Sequence, residues 1–309
     1  MHRKMCFYLD EVDRILQGKT QYPISCEIDL SNKCQNRCTF CMFRNYLEKF
    51  RVVLNYEIYQ KTIARLNKLG VRSITFTGGG EPLTYPKFED AVLDAQKLRF
   101  EVGLVTNGID LDRYASLVPS FRFIRVSLDA VTESTYLKIK GQPLFRKVKK
   151  NIELILKNRK TTTIGISFVV CQENQHEIEK AKVLAKDLKV DYIQFKPAFR
   201  RNLNRIKETN KTIITKRYKV SSTLPCAIAG LVGIIGADAN VYFCCQKRGE
   251  DKYRLGNLQT ESFERIWARR NDVNPDIKEC STCRYMNYAK GYKKFSQDKY
   301  QFLRHKHFL

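Results

Sequence analysis

No run of about 18 apolar residues occurs anywhere in the chain, so nothing in it reads as a membrane-spanning helix. A secretory signal is missing as well: Met1-His2-Arg3-Lys4-Met5-Cys6 leads into Glu11, Asp13 and Arg14 without an apolar core. Eleven cysteines in such a chain are expected to be reduced thiols in a cytoplasmic protein rather than a disulfide framework. No RRM aromatic motif or KH loop is present, which leaves a nucleic-acid partner without a recognition element. No repeat shorter than a strand-helix unit is visible. Acidic residues are few beside basic ones: 32 Asp and Glu face 56 Lys and Arg, a net charge of +24. The excess gathers at 146–160, 200–219 and 290–306, the last interleaved with Tyr292, Phe295, Tyr300 and Phe302. Solvated lysine-rich faces and an anionic partner, such as a phosphate-bearing substrate, both account for it.

What is present is enough for a large core: 309 residues, 43% of them hydrophobic. From residue 23 to 196 short β-branched runs alternate with helical patterns, the signature of βα units around a parallel sheet. Strands are expected near Ile24–Leu30, Ser73–Thr77, Phe100–Thr106, Phe123–Leu128, Ile164–Val170 and Tyr192–Lys196. Helices are expected over Tyr56–Leu69, Pro86–Leu98, Asp110–Leu117, Leu144–Asn158 and Asn174–Leu188, with Asn55 and Asn174 as N-caps. Six units make a partial (β/α)6 TIM-type barrel, an α/β fold with its chemistry at the C-terminal strand ends. Residues 1–22 are expected to supply an amphipathic helix against the barrel, which spans 23–199, and 200–225 a basic linker or lid.

Cys34, Cys38 and Cys41 lie in one short loop at C-x3-C-x2-C spacing. Three thiolates leave one iron of a four-iron cluster open, whereas a structural zinc wants four ligands and usually starts from C-x2-4-C pairs, so a lone trio suits it poorly. With Phe40 before the last cysteine, the loop resembles the motif of the radical S-adenosylmethionine (SAM) enzymes. The resemblance implies that the open iron is chelated by SAM and that reductive cleavage yields a 5'-deoxyadenosyl radical, which abstracts hydrogen from a substrate. Gly79, Gly80, Glu81 and Pro82 match the family segment that contacts the SAM amino group. Asn107, Ser127 and Asp129 match segments near its ribose and carboxylate; a strand-end turn cap is the plainer role for each. Cys171 departs from the family pattern and is either a hydrogen-atom donor to a substrate radical or a buried inert thiol. Gln194 and Lys196 fall on one face of the sixth strand and are candidates for substrate contact, Lys196 also for a base.

Beyond the barrel, Cys226, Cys244, Cys280 and Cys283 form a second set. Four thiolates complete a closed cluster, although Cys280-x2-Cys283 alone also suits a zinc ribbon. The order of hairpin (237–244), Leu255-Gly256-Asn257-Leu258, helix (262–267) and final cysteine pair is similar to the Twitch subclass of SPASM-type domains. It implies a small α+β domain over 226–283 with an auxiliary 4Fe-4S cluster. Ala239 and Phe243 stand where that family favours glycine and proline, and Cys245 is an alternative ligand to Cys244. Residues 284–309 read as a basic aromatic tail. The spacing is most similar to an aminocyclitol dehydrogenase, so the expected reaction is oxidation of a sugar, cyclitol or nucleotide-sugar carbon, with the auxiliary cluster as electron acceptor and a flavodoxin or ferredoxin-type donor. Peptide modification, for which 22 residues before the first strand leave no room for a leader-binding domain, epimerisation through Cys171, and an RNA-binding iron-sulfur protein are the alternatives.

Overall fold

The computed structural model describes residues 6–19, 21–198, 226–273, 275, 280 and 283. The expected linker at 200–225 and the tail at 284–309 lie outside the described residues. In chain order, α1 (Leu9–Leu16) leads to β1 (Ser25–Asp29), α2 (Arg44–Lys49), α3 (Tyr56–Lys68) and β2 (Ser73–Thr77). Then come α4 (Phe88–Lys97), β3 (Glu101–Thr106), a 3-10 segment (Leu111–Ser120), β4 (Phe123–Ser127), α5 (Glu133–Lys140) and α6 (Phe145–Asn158). β5 (Thr163–Val170), α7 (Ile178–Asp187) and β6 (Tyr192–Pro197) close the βα series. The C-terminal part adds α8 (Ala227–Leu231), β7 (Val232–Ile235), β8 (Asn240–Tyr242), β9 (Arg254–Asn257) and α9 (Phe263–Ala268).

Strands β1 to β6 are parallel neighbours in sequence order, as βα crossovers require. The C-terminal part continues the same sheet. β7 pairs parallel with β1, Cys26 opposite Gly233, and β8 and β9 follow antiparallel, giving the order β6-β5-β4-β3-β2-β1-β7-β8-β9 among the described residues.

Alternation along the strands divides the sheet into two chemically distinct faces. Ile28, Ile74, Phe76, Leu104, Ile124, Val126 and Ile166 point to one face and are buried. The helices cover that face, with Phe76 meeting Tyr59 and Phe88 at ring separations of 6.2 and 6.0 Å. The opposite face carries Glu27, Asp29, Thr75, Arg125, Ser127, Gln194 and Lys196. A polar face on a parallel sheet needs a ligand, an ion pair or water, and this places the chemistry of the chain inside the curve of the barrel.

Helix starts follow local chemistry. Asn55 Oδ1 accepts from Ile58 N at 3.1 Å, Thr132 Oγ1 from Thr135 N at 3.2 Å and Ser262 Oγ from Arg265 N at 3.4 Å. Asn174 does not cap a helix by its side chain: it accepts from Cys171 N and donates to the carbonyls of Asp129 and Val169, and the α-helix begins only at Ile178. The helix expected over 110–117 is a 3-10 segment in which Tyr114 leaves helical φ/ψ and Pro119 removes a donor. α1 buries Val12 and Ile15 against Leu231, so it packs on the C-terminal part. α9 is tied to the N-terminal segment by Trp267 Nε1 donating to Gln21 O at 2.9 Å.

Phe76 fills the centre of the apolar layer and Leu137 is 48% exposed on α5. Phe76→Ala is expected to destabilise the chain by about 3–5 kcal/mol, and Leu137→Ala by no more than about 0.5 kcal/mol, in urea denaturation of the metal-free protein under reducing conditions.

Candidate functional site

The loop after β1 carries Cys34, Cys38 and Cys41 and has little regular structure, so its backbone groups bond to neighbouring elements. Arg37 N and Thr39 N donate to the carbonyls of Lys140 and Ile139, at 2.8 and 2.9 Å, which are the orphan acceptors at the end of α5. Glu81 N donates to Lys33 O at 2.7 Å, and Arg44 Nη2 to Cys38 O at 3.0 Å. Burial raises all three thiols, Cys34 to about 12 with Glu81 adding to the effect. Lys140 pulls Cys38 back down, and the backbone N–H groups of Phe43 and Arg44, with the Arg44 charge, do the same at Cys41. Thiols in this state become ligands when a cationic metal group displaces their protons. Three of them on one loop, with cations beside two, fit a cluster that keeps one iron open.

The Gly78-Gly79-Gly80-Glu81 turn after β2 lies directly against that loop. A Cβ on Gly80 would fall 2.5 Å from the carbonyl oxygens of Lys33 and Ser31, so only glycine permits this approach. Gly79 N donates to Asp29 Oδ2 at 2.9 Å. Glu81 is buried, and its carboxylate accepts from Thr106 Oγ1 and Asn107 N, both at 2.6 Å, and from Leu83 N at 3.2 Å. It therefore locks the end of β2 to the end of β3, and burial pushes it up to about 7 against those three donors. Pro82, the next residue, is buried as well. Asn107 donates to Gln35 Oε1 at 3.0 Å and lies beside the Cys34 thiol, which ties β3 to the cysteine loop.

Ser127 and Asp129 stand at the end of β4, Asp129 with a left-handed φ of 61°. Asp129 is 1% exposed; one oxygen accepts from Val169 N at 2.6 Å and the other is paired with Lys140 Nζ. Lys140, itself 2% exposed, also donates to Ser127 O at 3.0 Å and lies 5.7 Å from the centre of the Phe40 ring. Burial alone would lower this lysine, but Asp129, with Cys38 behind it, holds it above the ordinary lysine range. A lysine in the last turn of a helix is usually a solvated partner of the helix dipole. Only the fold turns Lys140 inward. Cys171 packs with Ile139 and Phe40, its thiol bonded to Glu173 and raised to about 12 mainly by burial. Gln194 meets Arg125 Nη1 at 3.5 Å, and Lys196 sits opposite Val169 on the same face.

In the C-terminal part Cys226 precedes α8, Cys244 follows β8, and Cys283 N donates to Cys280 O at 2.9 Å. Burial raises Cys226 and Cys244; Cys280 adds to the first, and Cys245, Cys226 and Cys283 to the second. Cys226 thus feels Cys280, and Cys244 feels Cys226 and Cys283, and four thiol donors are the set that a closed cluster takes. Cys245 bears on Arg248. Among the described residues no three His, Cys, Asp or Glu side chains close to the spacing of a single-ion site.

Lys140→Met is expected to cost about 3–5 kcal/mol by leaving Asp129 charged and buried without its partner, and the Lys140→Met, Asp129→Asn double variant less than the single one, in denaturant titrations of the metal-free chain. Between the ordinary value of 4.5 and about 7, the folded chain keeps a proton on Glu81 that the unfolded chain has released. Its contribution to stability is therefore present below pH 4.5 and lost as pH rises through about 7, and Glu81→Gln is expected to flatten the stability profile across that window.

The radical SAM superfamily model matches residues 28–185, and the model of an iron-sulfur cluster-binding domain, SPASM, matches residues 226–284. A GTP 3',8-cyclase of Synechocystis sp. is 31% identical over 157 residues, 49% of this chain and 47% of its own length, so the chain spans about half of that relative. A probable GTP 3',8-cyclase of Saccharolobus solfataricus is 28% identical over 257 residues, 75% of this chain and 80% of its own. Among solved structures, native anSMEcpe with bound AdoMet shares the fold at a TM-score of 0.65 and 19% identity, over 87% of this chain and 89% of that one. The present chain belongs to the radical SAM superfamily, with a SPASM iron-sulfur domain as its C-terminal part, and its own cofactors are SAM and iron-sulfur clusters.

Proposed function

We propose that the chain is a radical SAM oxidoreductase that dehydrogenates a carbon of a small polar, phosphorylated substrate such as a sugar, cyclitol or nucleotide sugar. The observation that carries this reading is the set of four neighbouring thiols in the C-terminal part. Four cysteine ligands leave no iron of a four-iron cluster open to a substrate. Such a site serves as an electron acceptor, and an enzyme that takes a hydrogen atom and then passes on an electron and a proton has oxidised its substrate by two electrons. The cationic side of the concave sheet, Arg125 and Lys196, suits an anionic substrate, and the nucleotide in the names of the curated relatives agrees with a phosphorylated one.

In this reading Cys34, Cys38 and Cys41 hold the first cluster and Cys226, Cys244, Cys280 and Cys283 the second. Together with SAM, the first cluster supplies a 5'-deoxyadenosyl radical. Gly79, Gly80 and Pro82 shape the SAM seat, and Glu81 and Asn107 hold that seat against Cys34. Ser127 and Asp129 border it, with Lys140 beneath as the fixed positive charge. Phe40 closes one side, backed by Cys171. Gln194 and Lys196 contact the substrate, and Lys196 is the candidate base. A flavodoxin or ferredoxin-type protein provides the electron.

Anaerobic turnover with phosphorylated sugars and nucleotide sugars is expected to give 5'-deoxyadenosine above the substrate-free rate, with one ketone formed per deoxyadenosine. The parent is expected to hold about eight irons and the Cys34→Ala, Cys38→Ala, Cys41→Ala variant about four. Deoxyadenosine at the substrate-free rate throughout, or a variant that keeps one zinc and no iron, would sink the proposal.

A further inference from the structure

The loop that follows Cys244 reaches across the sheet to the first site by two separate contacts. The first is ionic. Arg248, 3% exposed, donates from Nη2 to Glu27 Oε2 at 2.9 Å and pairs through Nε with Asp29 Oδ2 at 2.8 Å. The same Asp29 oxygen accepts from Gly79 N at 2.9 Å, so one carboxylate joins Arg248 to the Gly79 turn. Burial raises the Asp29 carboxyl to about 7, and Arg248 and the Gly79 N–H are the groups that pull it back down. The guanidinium also lies 5.2 Å from the centre of the Phe43 ring, two residues past Cys41.

The second contact is steric. Tyr46 of α2 is 5% exposed, with its ring wedged between two glycines. A Cβ on Gly79 would fall 2.8 Å from Tyr46 Cε1, and one on Gly249, whose φ is 77°, would fall 2.5 Å from the ring on the other side. Lys247 N donates to Cys244 O at 2.9 Å, so the turn that carries Arg248 and Gly249 is built directly onto that cysteine.

We propose that residues 244–250 form a strut that sets the position of the Gly79 turn, with Arg248 as its positioning residue, so that the state of the second cysteine site is transmitted to SAM binding at the first. The proposal rests on the reading above, in which the Gly79 turn seats SAM and Cys244 is a cluster ligand. Arg248 is buried and acts through Asp29. Atoms that hold a ligand-bearing group in orientation typically affect affinity by about 10- to 100-fold when removed.

The test uses the reconstituted full chain, with iron and sulfide content, SAM affinity by anaerobic equilibrium dialysis, and the electron paramagnetic resonance spectrum of the reduced protein with and without SAM. Arg248→Gln is expected to keep the parent iron content, bind SAM about 10- to 100-fold more weakly, and show a reduced SAM-induced spectral change. Cys244→Ala is expected to weaken SAM binding in the same direction while the first cluster is retained. If Arg248→Gln does not fold, Arg248→Lys keeps the charge without the two-pronged contact and is expected to show an intermediate loss. Parent-like SAM affinity in a folded Arg248 variant, or in Cys244→Ala, overturns the strut. The Cys34→Ala, Cys38→Ala, Cys41→Ala variant separates the two levels. If it binds SAM as the parent does, the assignment of the SAM seat fails and the strut with it; if it loses binding while the Arg248 variants do not, the strut alone fails.

Discussion

A loop that carries three thiols on irregular backbone belongs to no ladder, and its amide groups must find partners among whatever surrounds them. The end of α5 has the complementary need, since the last carbonyls of any helix lack donors. Joining the two satisfies both, with Arg37 and Thr39 donating to Lys140 and Ile139. Much else in the site follows from that junction. It brings Lys140 under the cysteine loop, requires Asp129 to meet it, and aligns the ends of β4 and β5 through Val169.

The concave face concentrates ionisable groups that burial would ordinarily exclude, and each major one is held by charge or by donors. Asp129 has Lys140, Asp29 has Arg248, and Glu81 has three hydrogen-bond donors. In such surroundings a pair is strong while intact and costly when half removed. These groups sit at strand ends, where each restrains two or three chain segments at once. Rigidity at the site therefore comes from a few polar contacts, while the opposite face supplies bulk stability through Phe76, Ile124 and their neighbours.

The six βα strands were legible in the sequence because they depend on local signals: β-branched runs and capping residues. Asn55 shows the mechanism working, since its cap needs nothing beyond the next three residues. Asn174 shows where it stops. Its side chain carries the same capping chemistry, but Oδ1 accepts from Cys171 N instead, while Nδ2 is drawn to the carbonyls of Asp129 and Val169 that the sheet brings close. Lys140 and Arg248 were hidden for a related reason. Each reads in the sequence as a solvent-facing cation, and only the fold, which sets a buried carboxylate against it, shows it to be buried. Helix α5 and strand β7 are short, and nothing in their periodicity distinguishes them from loop.

Strand β1 has β2 on one side and β7 on the other, and β7 begins at Val232, some two hundred residues later in the chain. During synthesis that edge stays open until the chain has emerged as far as β7, and an unpaired strand edge is a template for the wrong partner. Pairings between such distant segments also form slowly. The junction that unites the two halves of the molecule is thus the step at which a nascent chain is most exposed to misassembly, and the one at which chaperone protection would matter most.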